Sequence, residues 1–144
     1  MSPRPDPSGQ PAVITGLGVI SSCGAQVETF WQSLLEGRSG ISQLERIDTE
    51  GLRTTFGGEV KNFAPERYMP GQEARRMDRF AHFAVAAARI AMHDAGFAVT
   101  PEEAFRVGVV LGTGIGGMET LVDQLQVLQE RGARRVSPYF IPMM

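Results

Sequence analysis

Apolar residues fall into two patterns along this chain: short unbroken runs, and longer stretches spaced by threes and fours. The first run, Val13-Ile14-Thr15, is β-branched and lacks polar alternation, which predicts a strand buried on both faces. Val27, Phe30, Trp31 and Leu34 then recur at helical spacing, and Gly37 supplies a C-terminal cap. Residues 38–72 lose this regularity, and Thr54-Thr55-Phe56 and Glu59-Val60 are candidate short strands in a surface excursion. Asp78 is placed to cap a second helix, on which Phe80, Phe83, Ala87 and Ala91 recur until Gly96 ends it. Six alanines between Ala81 and Ala91 leave several faces of that helix small, so it is expected to pack on more than one side.

Thr100-Pro101-Glu102-Glu103 offers a capping box with proline at the first helical position. It leads into Arg106-Val107-Gly108-Val109-Val110-Leu111, a second run of the buried-strand type. Gly112 to Gly117 make a glycine-rich turn, and Met118, Leu121, Val122, Leu125 and Leu128 mark a third amphipathic helix ending at Gly132. Strands alternating with helices predict an α/β layered domain with a parallel sheet core. Two central strands are few for such a sheet, so residues 12–144 are expected to be a piece of something larger.

Composition narrows the class without changing that picture. With 144 residues, 42% hydrophobic and 21% charged, the chain has the make-up of one soluble globular domain. A net charge of −2 gives no basic field for nucleic acid or an acidic membrane surface. The longest apolar stretch, 81–92, is interrupted by Arg89 and is too short to span a bilayer. Residues 1–11 alternate proline with polar residues and read as an extended lead-in with no secretory apolar core, so a cytoplasmic location is expected. The one cysteine, Cys23, excludes an internal disulfide and a cysteine-based zinc cluster. His82 and His93 lie eleven apart, which fits no helical metal pair, and neither a metal nor a cofactor is expected.

Three features invite a functional reading. Gly112-Thr113-Gly114-Ile115-Gly116-Gly117 satisfies the G-x-G-x-x-G pattern of a dinucleotide loop between strand and helix. The acidic residue such a loop needs about 20 positions later is missing, so close packing of a strand–helix turn is preferred. Gly16-Leu17-Gly18 is a weaker echo of the same pattern. Cys23 as a nucleophile would need a neighbouring base, and a small loop residue is the preferred reading. Arginines cluster at Arg75-Arg76 with Arg79, and at Arg131 with Arg134-Arg135, where they could form one patch for an acidic partner. No aromatic ladder accompanies them, which argues against single-stranded nucleic acid.

Five segments taken in order resemble the N-terminal portion of a β-ketoacyl-acyl-carrier-protein synthase, the long-chain (synthase II type) condensing enzyme of type II fatty acid synthesis. The first two are Val13-Ile14-Thr15-Gly16-Leu17-Gly18-Val19 and Phe30-Trp31-Gln32-Ser33-Leu34-Leu35-Glu36-Gly37-Arg38-Ser39-Gly40-Ile41. Arg75-Arg76-Met77-Asp78-Arg79-Phe80, Gly112 to Gly117 and Ser137-Pro138-Tyr139-Phe140-Ile141-Pro142 complete the set, from about residue 12 to the end. The resemblance implies an α/β thiolase-like fold, of which these residues are the N-terminal part of the first α/β half, layered with a mixed sheet and packed helices. It further implies a homodimer in the full-length family, and acyl carrier protein as partner. The implied activity is that of a 3-oxoacyl-[acyl-carrier-protein] synthase, in which an acyl group on an active-site cysteine is attacked by the carbanion from malonyl-carrier protein.

The family's nucleophilic cysteine follows the Ser-Pro-aromatic-Phe-x-Pro segment, and its two catalytic histidines come from the second half. All three lie beyond Met144, while Cys23, His82 and His93 match no catalytic position, so no catalytic residue is assigned and the chain alone is expected to be inactive. By the same resemblance Ile115 matches the residue gating the acyl pocket, and Phe140 an aromatic that lines it across the dimer. Arg75, Arg76, Arg134 and Arg135 match basic positions that meet the acidic face of acyl carrier protein, with Gln72 where some relatives have another base. Two alternatives remain: a chain-length-factor partner of aromatic polyketide synthases, or a non-catalytic fragment binding acyl carrier protein or a synthase. Part of a layered fold standing alone would leave sheet edge and apolar surface open, so self-association is expected unless a partner covers it.

Overall fold

The computed structural model describes residues 11–144, so all but the last residue of the proline-rich lead-in lies outside the described residues. The helices follow the spacing of the apolar residues. Helix α1 runs over Val27–Leu35 and α3 over Arg79–Asp94, with Asp78 as the capping residue of α3. Both end as their glycines dictate. Gly37 (φ 64) and Gly96 (φ 60) take the left-handed conformation that lets the next amides turn back onto the last helical carbonyls. Arg38 and Phe97 donate to Ser33 and Met92 at 2.8 and 2.9 Å, closing a Schellman motif on each helix. Between them lies a four-residue helix α2, Gly71–Ala74; helix α4 spans Met118–Arg131 and a single turn, α5, spans Phe140–Met143. No helix among the described residues is long and apolar enough to cross a membrane.

The strands depart from the sequence expectation. The sheet among the described residues is a two-stranded antiparallel pair, β1 (Ile41–Gln43) with β2 (Phe56–Gly58), in register Ile41 to Gly58. Of the candidate strand residues in this excursion only Phe56 belongs to it; Thr54 and Thr55 precede it, and Glu59 and Val60 follow it. Neither predicted central strand forms: 13–15 and 107–111 carry no ladder, and 106 closes a 3-10 turn, Ala104–Arg106. Ile14 is 84% exposed, and Val109 and Val110 are 90% and 101% exposed. A doubly buried strand needs neighbours on both edges and helices on both faces. Nothing among the described residues supplies them to these two segments. The expected capping box is likewise only a turn: Thr100 Oγ1 donates to Glu103 Oε2 at 3.2 Å, and the chain passes directly into the 3-10 turn.

What core there is gathers around α3. Met69, Ala74 and Ala86 are its buried apolar residues. On one side of α3, the segment holding Gly16 and Gly18 lies against the helix at backbone distance. A Cβ on Gly18 would stand 1.9 Å from the Ala87 carbonyl oxygen, and one on Gly16 would stand 2.2 Å from that of Ala91. Leu17 between them donates its amide to Asp94 Oδ2 at 2.8 Å. On another side Phe83 meets Phe63 edge to face at 4.9 Å, and Phe63 stacks on Tyr68 at 5.7 Å. The small-residue helix is thus packed on more than one face, as its alanines predict.

Candidate functional site

Asp78 stands where three elements meet. Its carboxylate caps α3 by accepting from the Phe80 amide at 3.4 Å, and accepts from the Thr120 amide in the first turn of α4 at 2.8 Å. Its own amide donates to the Met143 carbonyl of α5 at 3.4 Å. Asp78 and Thr120 are both buried. Burial alone would raise the Asp78 carboxyl, but the Thr120 hydroxyl and the amides of Thr120, Phe80 and Arg79 outweigh it and hold the group below its ordinary value. Two helix N-termini also point their positive ends at this one carboxylate.

The glycine-rich turn before α4 is built around the same junction. Gly117 donates its amide to the main-chain oxygen of Met144 at 3.2 Å, and Thr113 Oγ1 accepts from Gly116 at 3.1 Å. A Cβ on Gly117 would lie 3.0 Å from both Asp78 Oδ2 and the Met144 Cα. The α4 N-terminus, where a dinucleotide loop would seat a phosphate, is therefore filled by the protein's own carboxylate and chain. The close packing expected of a strand–helix turn is met only at Gly116 and Gly117: Gly112 and Gly114 have nothing within 4 Å of where a Cβ would stand, and no strand leads into the turn. Gly16 and Gly18 serve the same end against α3.

The predicted site residues flank this junction. Ile115 protrudes from the glycine-rich turn, 72% exposed, and Phe140 opens α5 and is half-buried. Arg75 ends α2, and the Arg76 guanidinium lies 4.8 Å from the centroid of the Tyr139 ring, immediately before Phe140. Arg134 and Arg135 sit in a 3-10 turn, Ala133–Arg135, just after α4, and the chain then turns where Ser137 donates to Gln124 Oε1 at 2.7 Å. Arg75, Arg76, Arg134 and Arg135 are exposed. The Arg76–Tyr139 contact brings the first arginine pair to the segment that follows the second.

Arg79, grouped with the first pair in the sequence, turns away from it. Its guanidinium donates to the Val60 carbonyl at 2.7 Å and lies over the Phe83 ring at 4.8 Å, so its charge is spent inside the fold. It lines an open depression of about 320 Å³ with Arg46, Asp78, His82, Glu119 and Asp123. There Arg46 holds Glu119 at 2.8 Å, tying the β1–β2 excursion to α4, and His82 Nε2 meets the Ala74 carbonyl at 2.8 Å.

Cys23 is half-buried in the loop before α1, where its carbonyl accepts from the buried Ser33 hydroxyl at 2.9 Å. Serines, Gly40 and Lys61 line the hollow beside it, and no histidine does. Among the described residues no three His, Cys, Asp or Glu side chains gather to hold a metal ion. Sequence reasoning saw Asp78 as a helix cap and did not single out Thr120. A threonine two residues into a helix that follows a glycine turn carried no visible link to a residue 42 positions earlier.

The family model described as "Beta-ketoacyl synthase, N-terminal domain" matches residues 10–144. The 3-oxoacyl-[acyl-carrier-protein] synthase 2 of Synechocystis sp. is 46% identical over 132 residues, covering 92% of this chain and 32% of the relative. Among solved structures, the ishigamide ketosynthase/chain length factor superposes with a TM-score of 0.72 at 34% identity, over 90% of this chain and 32% of that one. A β-ketoacyl synthase from Burkholderia phymatum gives 0.73 at 26% identity, over 92% and 33%. The chain thus spans about a third of the length of the curated relative it matches. With the family match running through the whole described chain, the protein belongs to the β-ketoacyl synthase family and corresponds to an N-terminal portion of its thiolase-like fold.

Proposed function

We propose that this chain works as the N-terminal portion, residues 12–144, of a 3-oxoacyl-[acyl-carrier-protein] synthase subunit. The reaction is the decarboxylative condensation of malonyl-carrier protein with an enzyme-bound acyl group. The observation that carries this reading is the family match over residues 10–144, joined to 46% identity with a relative of that name. The cysteine and two histidines of the condensation are not among these residues. This portion supplies none of those three groups to the reaction, and the subunit it belongs to acts as a homodimer in the cytoplasm.

Within that subunit, Arg75, Arg76, Arg134 and Arg135 meet the acidic face of acyl carrier protein. Their exposure supports this, and so does the Arg76–Tyr139 contact, which ties the first pair to the segment that follows the second. Ile115 and Phe140 line the acyl pocket; the junction at Asp78 that joins their two elements supports it. Titration of the chain with acyl carrier protein tests the patch. Saturable, salt-sensitive binding is expected, weakened at least tenfold when Arg75, Arg134 and Arg135 are changed together to Glu with the thermal melt retained. Unchanged affinity overturns the patch. Arg76 is varied separately, because it packs over Tyr139.

The 34% identity to a ketosynthase/chain length factor favours a second reading, a partner subunit of polyketide synthesis without the nucleophile. The reading frame beyond Met144 separates the two: a cysteine followed by two histidines supports the synthase, and a frame lacking the cysteine supports the partner.

A further inference from the structure

We infer that Asp78 is a positioning residue for the acyl pocket: its buried carboxylate holds the start of α4 and the turn bearing Ile115, and its main-chain amide, with the Gly117–Met144 bond, holds the helix bearing Phe140 beside the arginine-bearing end of α2. The inference rests on the acyl-pocket reading of those two residues.

An aspartate that only caps its own helix makes its best bond to that helix. Asp78 does the reverse: its bond to the Phe80 amide is 3.4 Å, and its bond to the Thr120 amide, on α4, is 2.8 Å. Serine would start α3 as well as aspartate does, so the cap does not account for the charge. A buried carboxylate is costly unless it is fully hydrogen-bonded. Here the cost is offset by donors from two helices whose positive ends converge on it.

The reach of that carboxylate is long. Gly117 lies so close that a Cβ there would come within 3.0 Å of Oδ2, and the Gly117 amide in turn holds the Met144 oxygen at 3.2 Å. Ile115 is two residues before Gly117. Phe140 begins the single-turn helix whose Met143 carbonyl accepts from the Asp78 amide. On the opposite side Met77 donates back to Ala74, and Arg76 reaches Tyr139. Every element that bears a pocket residue, and the first arginine pair, is one bond or one van der Waals contact from this aspartate or its neighbours.

Three variants of the full chain test this. Asp78→Ser keeps a cap for α3 but is too short to reach Thr120; Asp78→Asn keeps the length and one acceptor oxygen; Asp78→Ala keeps neither. The first readout is amide exchange. Asp78→Ser is expected to speed exchange at Gly117 and Thr120 at least tenfold while the first turn of α3 and all of α1 stay within twofold of the parent, with Asp78→Asn recovering most of the protection. Unchanged exchange at Gly117 and Thr120 in Asp78→Ser overturns the inference. The Ser and Asn pair carries the test should the Ala variant fail to fold.

The second readout is paramagnetic broadening of Ile115 and Phe140 resonances by a nitroxide-labelled tetradecanoyl pantetheine thioester. Broadening at both residues in the parent, lowered several-fold in Asp78→Ser, supports a positioning role. Equal broadening in parent and variant overturns that role and leaves the pocket standing. Absence of broadening in the parent overturns the pocket reading itself, and with it the role, whatever exchange reports for the clasp.

Discussion

Gly18 and Gly37 are both glycines by necessity, for opposite reasons. At Gly18 the backbone is ordinary but the space is gone, the Ala87 carbonyl oxygen lying 1.9 Å from where a Cβ would be. At Gly37 nothing lies within 4 Å, and the constraint is the left-handed φ of 64°. Gly37→Ala should therefore cost about 1–2 kcal/mol, the strain of that conformation alone. Gly18→Ala should cost about 1–3 kcal/mol as overpacking, and it should also free the Leu17 amide, because relief requires the segment to lift away from α3 and Asp94. Urea denaturation with exchange at Leu17 distinguishes them: loss of stability in both, deprotection of Leu17 in Gly18→Ala only. Protected Leu17 in both would mean the seam yields elsewhere. The glycine pair at 16 and 18 and the alanines of α3 were each visible in the sequence. Their union was not, because nothing local to either segment names a partner some 70 residues away.

Helices and strands were unequally legible for a physical reason. A helix satisfies its backbone within itself, so the spacing of Phe80, Phe83, Ala87 and Ala91, the cap at Asp78 and the stop at Gly96 suffice to specify α3. A strand satisfies its backbone only through neighbours, and the apolar runs at 13–15 and 107–111 describe strands whose neighbours are not among these residues. The residues proposed for the pocket and patch were singled out through their motifs, whereas the junction beside them was not, since Thr120 and Met143 look ordinary in their own segments. That junction has a pH signature. The folded state holds the Asp78 carboxyl below its ordinary value of 3.8, so its contribution to stability is present in full above that value. As pH falls below 3.8 toward the folded-state value, the proton is taken up more readily by the unfolded chain and the contribution is lost. Thermal melts from pH 6 to pH 2.5 should show the parent losing its advantage over Asp78→Asn across the acid end of that range. A constant gap between the two would refute the linkage.

At the scale of the whole molecule, surface outweighs core. The accessible area is 11599 Å², against about 7,200 Å² for a compact monomer of this mass. The excess is far more than the roughly 1,500 Å² that any ten-residue tail could supply. It also exceeds what a standard protein interface buries, about 800 Å² on each side. Val109, Val110, Val13 and Ile14 are prominent in it. The chain studied alone should therefore self-associate, its mean mass by light scattering rising with concentration, and Val109→Lys with Val110→Glu should lower that mass without loss of helical signal. A monodisperse monomer up to 100 μM would show that this surface is tolerated in water. The seam of Gly16 and Gly18 on α3 has a different bearing on the whole. Glycine and alanine have no rotamers to freeze, so docking the N-terminal segment there gives up backbone freedom and almost no side-chain entropy. Departure of the segment would break the Leu17 bond to Asp94, while the helix face it uncovers at Ala87, Ala91 and Ala95 has no rotamers to rearrange.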